Sequence, residues 1–226
     1  MKRPFVYVNM AMTADGKITS ARREYPRFTS EHDRLQMDRL RAEADALLVG
    51  AGTLRADNPV WNVRTEEMRD YRRSLGKPPG LLRVLVTASA RIDATSRFFD
   101  EAEGADRIVA TVEEVPDERL AVFSGRSEVW KLGRRSVDLV ELMRRLAERG
   151  IERLLVEGGG ELNWALVRED LLDELHVTVA PVLLGGREAP TPLEGQGLPM
   201  KLQRKLRLEE VRRQGDELFC RWTVLR

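Results

Sequence analysis

Residues 153–164 read Arg-Leu-Leu-Val-Glu-Gly-Gly-Gly-Glu-Leu-Asn-Trp and decide the fold class of the chain. An apolar run at 154–156 stops at three successive glycines. Leu162, Ala165 and Leu166 then follow at the i, i+3, i+4 spacing of a helix face. The stretch therefore predicts a buried strand, a glycine turn and a helix, which is the unit from which α/β folds are built.

The three glycines of this stretch suggest an anion site. A helix that begins at glycines presents free backbone N–H groups and the positive end of its dipole, and no Cβ keeps an anion away. Gly158, Gly159 and Gly160 therefore predict a pyrophosphate site. A tight turn in which glycine only satisfies backbone geometry is the alternative, but three glycines after a buried strand favour the phosphate.

The remaining strand patterns indicate a mixed α/β fold. Residues 5–12 and 46–50 are apolar runs of the kind found in strands buried on both faces, and further β-prone runs occur before and after residues 153–164. Gln214-Gly215-Asp216 separates two runs near the C-terminus as a hairpin turn. We expect one domain, 1–226, with a mostly parallel sheet of about eight strands, flanking helices and a C-terminal antiparallel hairpin.

Three local expectations accompany this fold. Ser30 is predicted to cap a helix with Asp33 in a variant of the capping box. Ser136 is predicted to cap a second helix that runs to about residue 148 and buries Val140, Met143 and Ala147. Residues 61–79 are predicted to be a loop with one helical turn.

Composition and charge exclude several classes of function. The net charge is +1, which gives no basic surface for nucleic acid or membranes. No run reaches the ~18 apolar residues of a membrane span. Cys220 is the single cysteine, so we expect no disulfide and a cytoplasmic protein. His32 and His176 are not paired by spacing, so we expect no metal site and no histidine triad, and His176 is expected at the surface.

Two further glycine turns follow strands, at Gly50/Gly52 and at Gly185/Gly186. Thr53 and Asp57 come after the first turn at i, i+4, so they share one helical face. If the sheet brings the glycine turns to one edge, they line one crevice. Neither the dinucleotide fingerprint G-x-G-x-x-G nor a P-loop is present, so the pattern predicts a dinucleotide or phosphorylated ligand that is held differently.

Polar residues at two strand ends are further candidates, because ligands of open α/β sheets bind outside the carboxyl ends of strands. Thr87, Ser89 and Arg91 follow a strand and would hold a phosphate; a capped, solvated turn explains them equally well. Asn9 lies in the first strand, where it either ties neighbouring backbone together or faces a site. Asp15 begins an Asp-Gly turn, and Lys17 adds a cation.

Four motifs in this order resemble the riboflavin-biosynthesis reductases. They are Met-Thr-Ala-Asp-Gly-Lys (12–17), Val-Gly-Ala-Gly-Thr-Leu-Arg-Ala-Asp-Asn-Pro (49–59), Leu-Val-Glu-Gly-Gly-Gly-Glu-Leu-Asn-Trp (155–164) and Ala-Pro-Val-Leu-Leu-Gly-Gly-Arg-Glu-Ala-Pro (180–190). The resemblance covers nearly the whole chain. It implies a dihydrofolate-reductase-like fold, a homodimer, and NADPH-dependent reduction of the ribosyl group of a ribosylamino-pyrimidine 5′-phosphate to a ribityl group.

The resemblance also implies roles for the candidate residues. Asp57, Glu157 and Lys17 would be catalytic, with Glu157 facing the reaction centre. Substrate would also contact Asp15, and its phosphate would need cations such as Arg41, Arg64 and Lys17. The 2′-phosphate of NADPH would suit Thr87, Ser89 and Arg91. The cofactor-binding residues would be Asn9, Gly52, Thr53, Asp57, Thr87, Ser89, Arg91, Gly158, Gly159, Gly160, Glu161 and Leu162.

One departure from the family pattern is the stretch from Asp57 to Arg64, where Trp61 and Asn62 are expected to alter one wall of the site. A related reductase with another substrate, or a non-catalytic NADP-binding protein, is therefore the alternative function. The chain lacks the Cys/His zinc motif of a deaminase, so we expect it to carry out the reduction only.

Overall fold

The computed structural model describes residues 2–24, 28–93, 95–100 and 105–226, without the side chain of Asp57. Contacts divide the chain into two compact units. The first unit comprises Met1–Pro4 and Asp38–Leu155, and the second comprises Phe5–Met37 and Val156–Arg226. The expected single domain stays a prediction. Among the described residues, no helix is long and apolar enough to cross a membrane.

The first unit contains a sheet in the order β5-β4-β3-β2-β6. The pairs β2–β3, β3–β4 and β4–β5 are parallel. Its strands are β2 (Ala46–Gly50), β3 (Leu82–Val86), β4 (Arg107–Thr111), β5 (Glu128–Lys131) and β6 (Arg153–Val156, of which the last residue belongs to the second unit). Its helices are α2 (Ala51–Asp57), α3 (Glu66–Ser74), α4 (Asp117–Leu120) and α5 (Leu139–Glu148).

Burial explains why these runs form strands. Leu48, Val84 and Ile108 are fully buried in three neighbouring strands, as expected for parallel strands covered on both faces. Helix α5 adds Leu142 and Leu146, both fully buried, to the same core.

The second unit contains the strand order β1-β7-β9-β8. The pair β1–β7 is parallel, whereas β7–β9 and β8–β9 are antiparallel. The strands are β1 (Phe5–Thr13), β7 (Glu174–Ala180), β8 (Lys205–Gln214) and β9 (Glu217–Leu225), and the helix is α6 (Gly160–Arg168). Helix α1 (Glu31–Glu43) begins in this unit and ends in the first.

The predicted fold class is confirmed: the described chain is mixed α/β with mostly parallel strand pairs and a C-terminal antiparallel hairpin. It has nine strands in the described residues rather than about eight. Two helix predictions were wrong in detail. Helix α5 is capped by Asp138, which accepts from Glu141 N (2.9 Å), not by Ser136, and Val140 is 37% exposed. Residues 61–79 contain the nine-residue α3, which is more than one turn.

Ser30 caps α1 as predicted, whereas the side chain of Asp33 is engaged elsewhere. Ser30 Oγ accepts from His32 N (3.1 Å), but its hydroxyl donates to Glu217 Oε2 (2.5 Å) on β9. The carboxylate of Asp33 accepts from Thr178 and Thr29, and burial raises its pKa. The Ser30 hydroxyl therefore caps the helix through His32 N, while the Ser30 N–H donates to Glu217 Oε1 (2.7 Å) rather than to Asp33.

Candidate functional site

The glycine stretch that the sequence singled out forms the start of α6. Gly158 has φ +78°, a left-handed conformation that favours glycine. Gly159 is the N-cap in an extended conformation, and its carbonyl accepts the first helical bond from Asn163 N (3.0 Å). The first N–H groups of the helix have no acceptor within the helix. The local geometry of strand, glycine turn and helix is as predicted.

Packing inside the protein also constrains two of these glycines. A Cβ on Gly160 would lie 2.6 Å from the Thr191 carbonyl oxygen and 2.5 Å from Glu194 Cγ. A Cβ on Gly158 would lie 2.9 Å from Met10 Sδ. The Thr191 carbonyl belongs to the backbone, so its close approach explains Gly160 with or without a bound phosphate. The Met10 side chain is flexible, so at position 158 the positive φ is the main reason for glycine.

The other residues of the stretch differ in exposure. Glu161 is exposed in the first turn of α6, whereas Leu162 is buried. Glu157 is half-buried at the end of β6, and Asn9 is half-buried in β1 opposite His176 of β7. Glu157 and Asn9 thus each have partial access to solvent, which a side chain needs if it is to contact a ligand.

The turn after β1 is built by internal hydrogen bonds. Thr13 N donates to the Lys17 carbonyl (2.8 Å), and Lys17 N donates to Thr13 Oγ1 (2.9 Å). The Thr13 hydroxyl donates to Asp15 Oδ1 (2.6 Å). Asp15 also accepts from the N–H groups of Leu184 (3.1 Å) and Gly185 (2.7 Å), and these bonds lower its pKa to about 2. The Asp15 carboxylate therefore ties the turn to the segment that follows β7.

The segment after β7 connects this turn to the start of α6. Lys17 Nζ donates to the Ala189 carbonyl (3.1 Å). Glu194 N donates to the Gly160 carbonyl (3.1 Å), and the Glu194 carboxylate accepts from Thr191 N (2.5 Å) and Thr191 Oγ1 (2.7 Å). Three predicted motifs of the second unit are thereby brought together: the Asp-Gly turn, the glycine stretch and the second glycine loop.

The second unit also contains a cavity of about 690 Å³ beside Lys17. Its volume lies in the range of small-molecule sites. Of the predicted site residues, Lys17 lines it and the glycines of α6 do not. Lys17 is joined there by the basic side chains of Arg23 and Arg187, which sequence reasoning missed because cations in exposed loops give no pattern. The apolar lining includes Val8, Val167, Leu175, Leu206 and Val224.

In the first unit, α2 follows directly on β2. Gly50 is its N-cap, and a Cβ on the exposed Gly52 would meet nothing within 4 Å. Thr53 is half-buried one residue later. The side chain of Asp57 lies outside the described residues, so its catalytic and cofactor roles stay predictions.

The three polar residues predicted after β3 differ in exposure. Thr87 is buried, and its hydroxyl oxygen accepts from Ala90 N (3.0 Å), so it caps the turn. Ser89 and Arg91 are exposed, and Arg91 N donates to Ser89 Oγ (3.4 Å). The capped-turn interpretation therefore describes Thr87, while Ser89 and Arg91 keep free surface on which to contact a ligand.

The two arginines proposed for the substrate phosphate have different surroundings. Arg41 is 1% exposed, and its guanidinium donates to the carbonyls of Val60 (3.0 Å) and Asn62 (3.1 Å). Arg64 is exposed, and its backbone N–H donates to Asp38 (2.5 Å). Arg41 thus shapes the segment that leads to Arg64, and substrate contact by either residue stays a prediction.

Two expectations about single residues were wrong. Trp61 was expected at a wall of the site, but it is 1% exposed and packs edge-on against Phe98 (6.4 Å between ring centroids) in the core of the first unit. His176 was expected at the surface, but it is 7% exposed, and its Nε2 lies 2.6 Å from Glu174 Oε1. Among the described residues, no group of three His, Cys, Asp or Glu side chains could hold a metal ion.

Comparison with protein families gives a match over residues 4–220 to the model described as RibD C-terminal domain. Two relatives share the name 2,5-diamino-6-ribosylamino-4(3H)-pyrimidinone 5′-phosphate reductase. The relative from Archaeoglobus fulgidus is 37% identical and covers 95% of both chains. The relative from Methanothermobacter thermautotrophicus is 36% identical and covers 98% of this chain and 99% of its own length.

Solved structures share the fold. A pyrimidine reductase-like protein from Corynebacterium diphtheriae superposes with a TM-score of 0.85 at 22% identity, over 99% of this chain and 92% of its own. A deaminase/reductase from Thermotoga maritima superposes with a TM-score of 0.80 at 24% identity, over 99% of this chain and 57% of its own. At these identities the likeness concerns the fold alone.

Proposed function

Because the chain belongs to the RibD C-terminal domain family, we propose that it uses NADPH to reduce the ribosyl side chain of 2,5-diamino-6-ribosylamino-4(3H)-pyrimidinone 5′-phosphate to a ribityl group. The observation that carries this proposal is the end-to-end similarity to relatives of that name, at 36–37% identity over 95% or more of each chain. The same names favour the 2-amino pyrimidine over its 2-oxo counterpart as substrate.

The start of α6 fits the pyrophosphate of a dinucleotide. Its first N–H groups lack acceptors in the helix, and the helix dipole adds positive potential at that end. Gly159 is half-buried and adds no side chain to the approach. We assign Gly158, Gly159, Gly160, Glu161 and Leu162 to this contact through their backbone, since the exposed carboxylate of Glu161 would repel a phosphate at close range.

We assign the adenosine 2′-phosphate of the cofactor to the turn that follows β3. Ser89 and Arg91 are exposed at the carboxyl end of β3, and an arginine can form charge-assisted bonds with a 2′-phosphate. Thr87 stabilises the turn that carries them, because its hydroxyl oxygen accepts from Ala90 N. Gly52 and Thr53 are assigned to the nicotinamide half, where the open space beside Gly52 would let the cofactor approach the backbone.

A bound nicotinamide supplies the hydride, so the chain has to place the substrate, exclude water and provide a proton when the ribosyl ring opens. Lys17, Glu157 and Asp57 are our candidates for these roles. The position of Lys17 beside the cavity favours it as the cation that meets the substrate, with its ammonium oriented by the Ala189 carbonyl. Asp15 has an indirect role in this proposal, because its carboxylate already accepts hydrogen bonds from Thr13, Leu184 and Gly185.

We propose that the enzyme works in the cytoplasm as a homodimer. The single cysteine suits a reducing compartment, and the homodimer follows from the resemblance to the family.

Loss of NADPH absorbance on mixing with the diamino substrate tests the reaction directly. We expect turnover with this substrate and a much lower kcat/KM with the 2-oxo compound. A reversed preference would reassign the substrate. NADPH binding without oxidation on any pyrimidine phosphate would overturn the reductase and leave a non-catalytic NADP-binding protein. Lys17→Gln should reduce turnover, while Lys201→Gln, an exposed lysine outside the predicted site, is the matched control.

A further inference from the structure

Asp38 of α1 is an acidic residue that is only 1% exposed. Its carboxylate accepts three hydrogen bonds from the segment that precedes α3. One oxygen accepts from Arg64 N (2.5 Å), and the other accepts from Thr65 N (2.8 Å) and Thr65 Oγ1 (2.8 Å). A buried carboxylate is costly unless such donors replace the water that it loses. The three bonds therefore fix the backbone at residues 64 and 65 to α1.

The backbone of Arg64 is also held through its carbonyl. Arg69 of α3 donates to the carbonyls of Arg64 (3.0 Å) and Val63 (3.2 Å). Arg41 of α1 holds two earlier carbonyls of the same segment, as described above. All of these residues belong to the first unit. Because both the N–H and the C=O of Arg64 have partners, rotation of its backbone is restricted.

These bonds also decide which side chains of the segment face solvent. Trp61 and Val63 are each 1% exposed, whereas Val60 is 48% exposed and Arg64 is exposed. Such alternation is typical of an extended chain, in which successive side chains point to opposite sides. A slip by one residue would bury Arg64 and expose Val63. Asp38 opposes that slip, because it binds the backbone of two particular residues.

The side chain that this segment presents to solvent is a cation. Among the described residues, no carboxylate pairs with the Arg64 guanidinium. A guanidinium offers a planar fork of donors that matches the oxygens of a phosphate, and Arg64 is one of the cations predicted to meet the substrate phosphate. An arginine with a fixed backbone loses less conformational freedom on binding than one on a mobile loop.

We infer that Asp38 is a positioning residue for phosphate recognition: it fixes the backbone from which Arg64 reaches the 5′-phosphate of the substrate. The identity of that phosphate rests on the proposed function. Asp38 is buried and its oxygens are engaged by residues 64 and 65, so it acts through Arg64 and does not touch the substrate.

Charge alone and positioning predict effects of opposite sign for Asp38→Asn. The substitution removes a negative charge near Arg64, and Coulomb's law by itself would then favour an anion. Loss of positioning has the reverse effect. An asparagine amide keeps one acceptor oxygen, but its NH₂ group would face an N–H group of the segment. Weaker phosphate binding by Asp38→Asn therefore identifies positioning as the larger effect.

Binding of ribose 5-phosphate to the full chain, measured by isothermal titration calorimetry, tests this role without turnover. We expect Asp38→Asn to raise the dissociation constant about tenfold or more, and Arg64→Ala to raise it by at least as much. In the double variant, Asp38→Asn should add no further loss, because it acts through Arg64. Glu67→Gln is the matched control, since it removes an exposed negative charge in the first turn of α3, and it should leave binding unchanged.

Turnover gives a second measurement. Asp38→Asn should lower kcat/KM more for the diamino 5′-phosphate than for its dephosphorylated form, chiefly through KM, whereas a general loss of structure would lower both equally. Far-UV circular dichroism reports on folding, and Asp38→Ser, whose hydroxyl can still accept from one N–H, takes the place of Asp38→Asn if the latter does not fold.

The outcomes separate this role from the reaction itself. A wild type that does not bind ribose 5-phosphate, unchanged binding by Asp38→Asn, or losses that simply add in the double variant would overturn the role of Asp38. Failure of wild type to oxidise NADPH would overturn the proposed reaction, while the binding of ribose 5-phosphate would still decide whether Asp38 positions Arg64.

Discussion

The carboxylate of Asp15 and the backbone N–H of Gly185 form a hydrogen bond of 2.7 Å across 170 residues of sequence. A second bond of 3.1 Å joins the same carboxylate to Leu184 N. The Asp-Gly turn was predicted from sequence as a border of the substrate pocket. In the structure, the aspartate of this turn also binds the glycine loop that follows β7.

Asp15→Asn should loosen that loop. An amide oxygen accepts only weakly compared with a carboxylate, so we expect the amide hydrogens of Leu184 and Gly185 to exchange at least tenfold faster. Hydrogen exchange resolved at these residues measures the effect. Glu188→Gln, which neutralises an exposed acid in the same loop, is the control and should leave exchange unchanged.

The pH dependence of this tether has a defined sign. The pKa of Asp15 is lowered to about 2 in the folded protein, below its ordinary value of 3.8. Its contribution to stability is therefore present above pH 4 and is lost as the pH falls toward 2. The Asp15 carboxylate is still ionised at pH 6, so the Gly185 amide should still be protected from exchange there. Loss of this protection at pH 6 would contradict the assignment.

Two glycines at helix starts should respond oppositely to alanine. Gly160→Ala places a Cβ against the Thr191 carbonyl and Glu194, so we expect a loss of about 1–3 kcal/mol from overpacking. Gly52→Ala meets open space and should stabilise by up to about 1 kcal/mol. Urea denaturation measures both changes. If Gly52→Ala also weakens NADPH binding while the fold is intact, the space beside it belongs to the cofactor. Equal stability of the two variants would refute the packing argument.

Arg72 should be required for stability although it carries no predicted function. It is 1% exposed, and its guanidinium donates to the carbonyls of Ala42 (3.1 Å), Ala44 (2.6 Å) and Pro78 (2.6 Å). Arg72→Met would leave these buried acceptors unsatisfied and should cost about 3 kcal/mol. The neighbouring Arg73→Met breaks exposed ion pairs and should cost less than about 1 kcal/mol. Guanidinium denaturation of both variants gives the comparison, and similar midpoints would contradict it.

Asp33→Asn should stabilise the protein more at high pH than at low pH. Burial raises the pKa of Asp33, with a smaller contribution from the nearby negative charge of Glu217. The unfolded chain then loses this proton at lower pH than the folded chain, so native stability falls as the pH rises through the raised pKa. Asparagine removes that loss. Thermal denaturation at pH 4 and pH 8 should show a larger gain in Tm at pH 8, whereas the exposed Glu31→Gln should show no such difference.

Arg91→Ala should reduce the preference for NADPH over NADH. The guanidinium is the exposed cation of the group that we assign to the 2′-phosphate, and losing one charge-assisted contact should lower the ratio of kcat/KM values about tenfold or more. Arg97→Ala, an exposed arginine later in the same region, is the control. An unchanged ratio would place the 2′-phosphate elsewhere.

Several features of the fold could be predicted because their signals are local. The run at 154–156 is buried strand, and three glycines lead from it into α6. The strands at residues 5–12 and 46–50 were identified from continuous apolar runs, which need no knowledge of their neighbours. The hairpin at Gly215 was identified from turn chemistry alone.

Other features could not be predicted because they depend on distant residues. Trp61 was expected at a wall of the site and His176 at the surface, but both are buried in the folded chain, where Trp61 contacts Phe98 and His176 contacts Glu174. Arg41 was proposed as a cation for the substrate phosphate, and only the structure shows that its guanidinium also donates to the carbonyls of Val60 and Asn62 inside the protein. Buried polar groups are specified by partners, and partners are known only after folding.

The sequence by itself thus determined the fold class, the order of the glycine motifs and their resemblance to one family, since these depend on patterns along the chain. Only the tertiary structure decided why the glycine stretch has its form. Gly160 is hydrogen-bonded to Glu194 and Asp15 to Gly185, because the fold brings segments more than 30 residues apart in the sequence into contact. A hydrogen bond or steric contact acts over a short distance in space, whatever the distance in sequence.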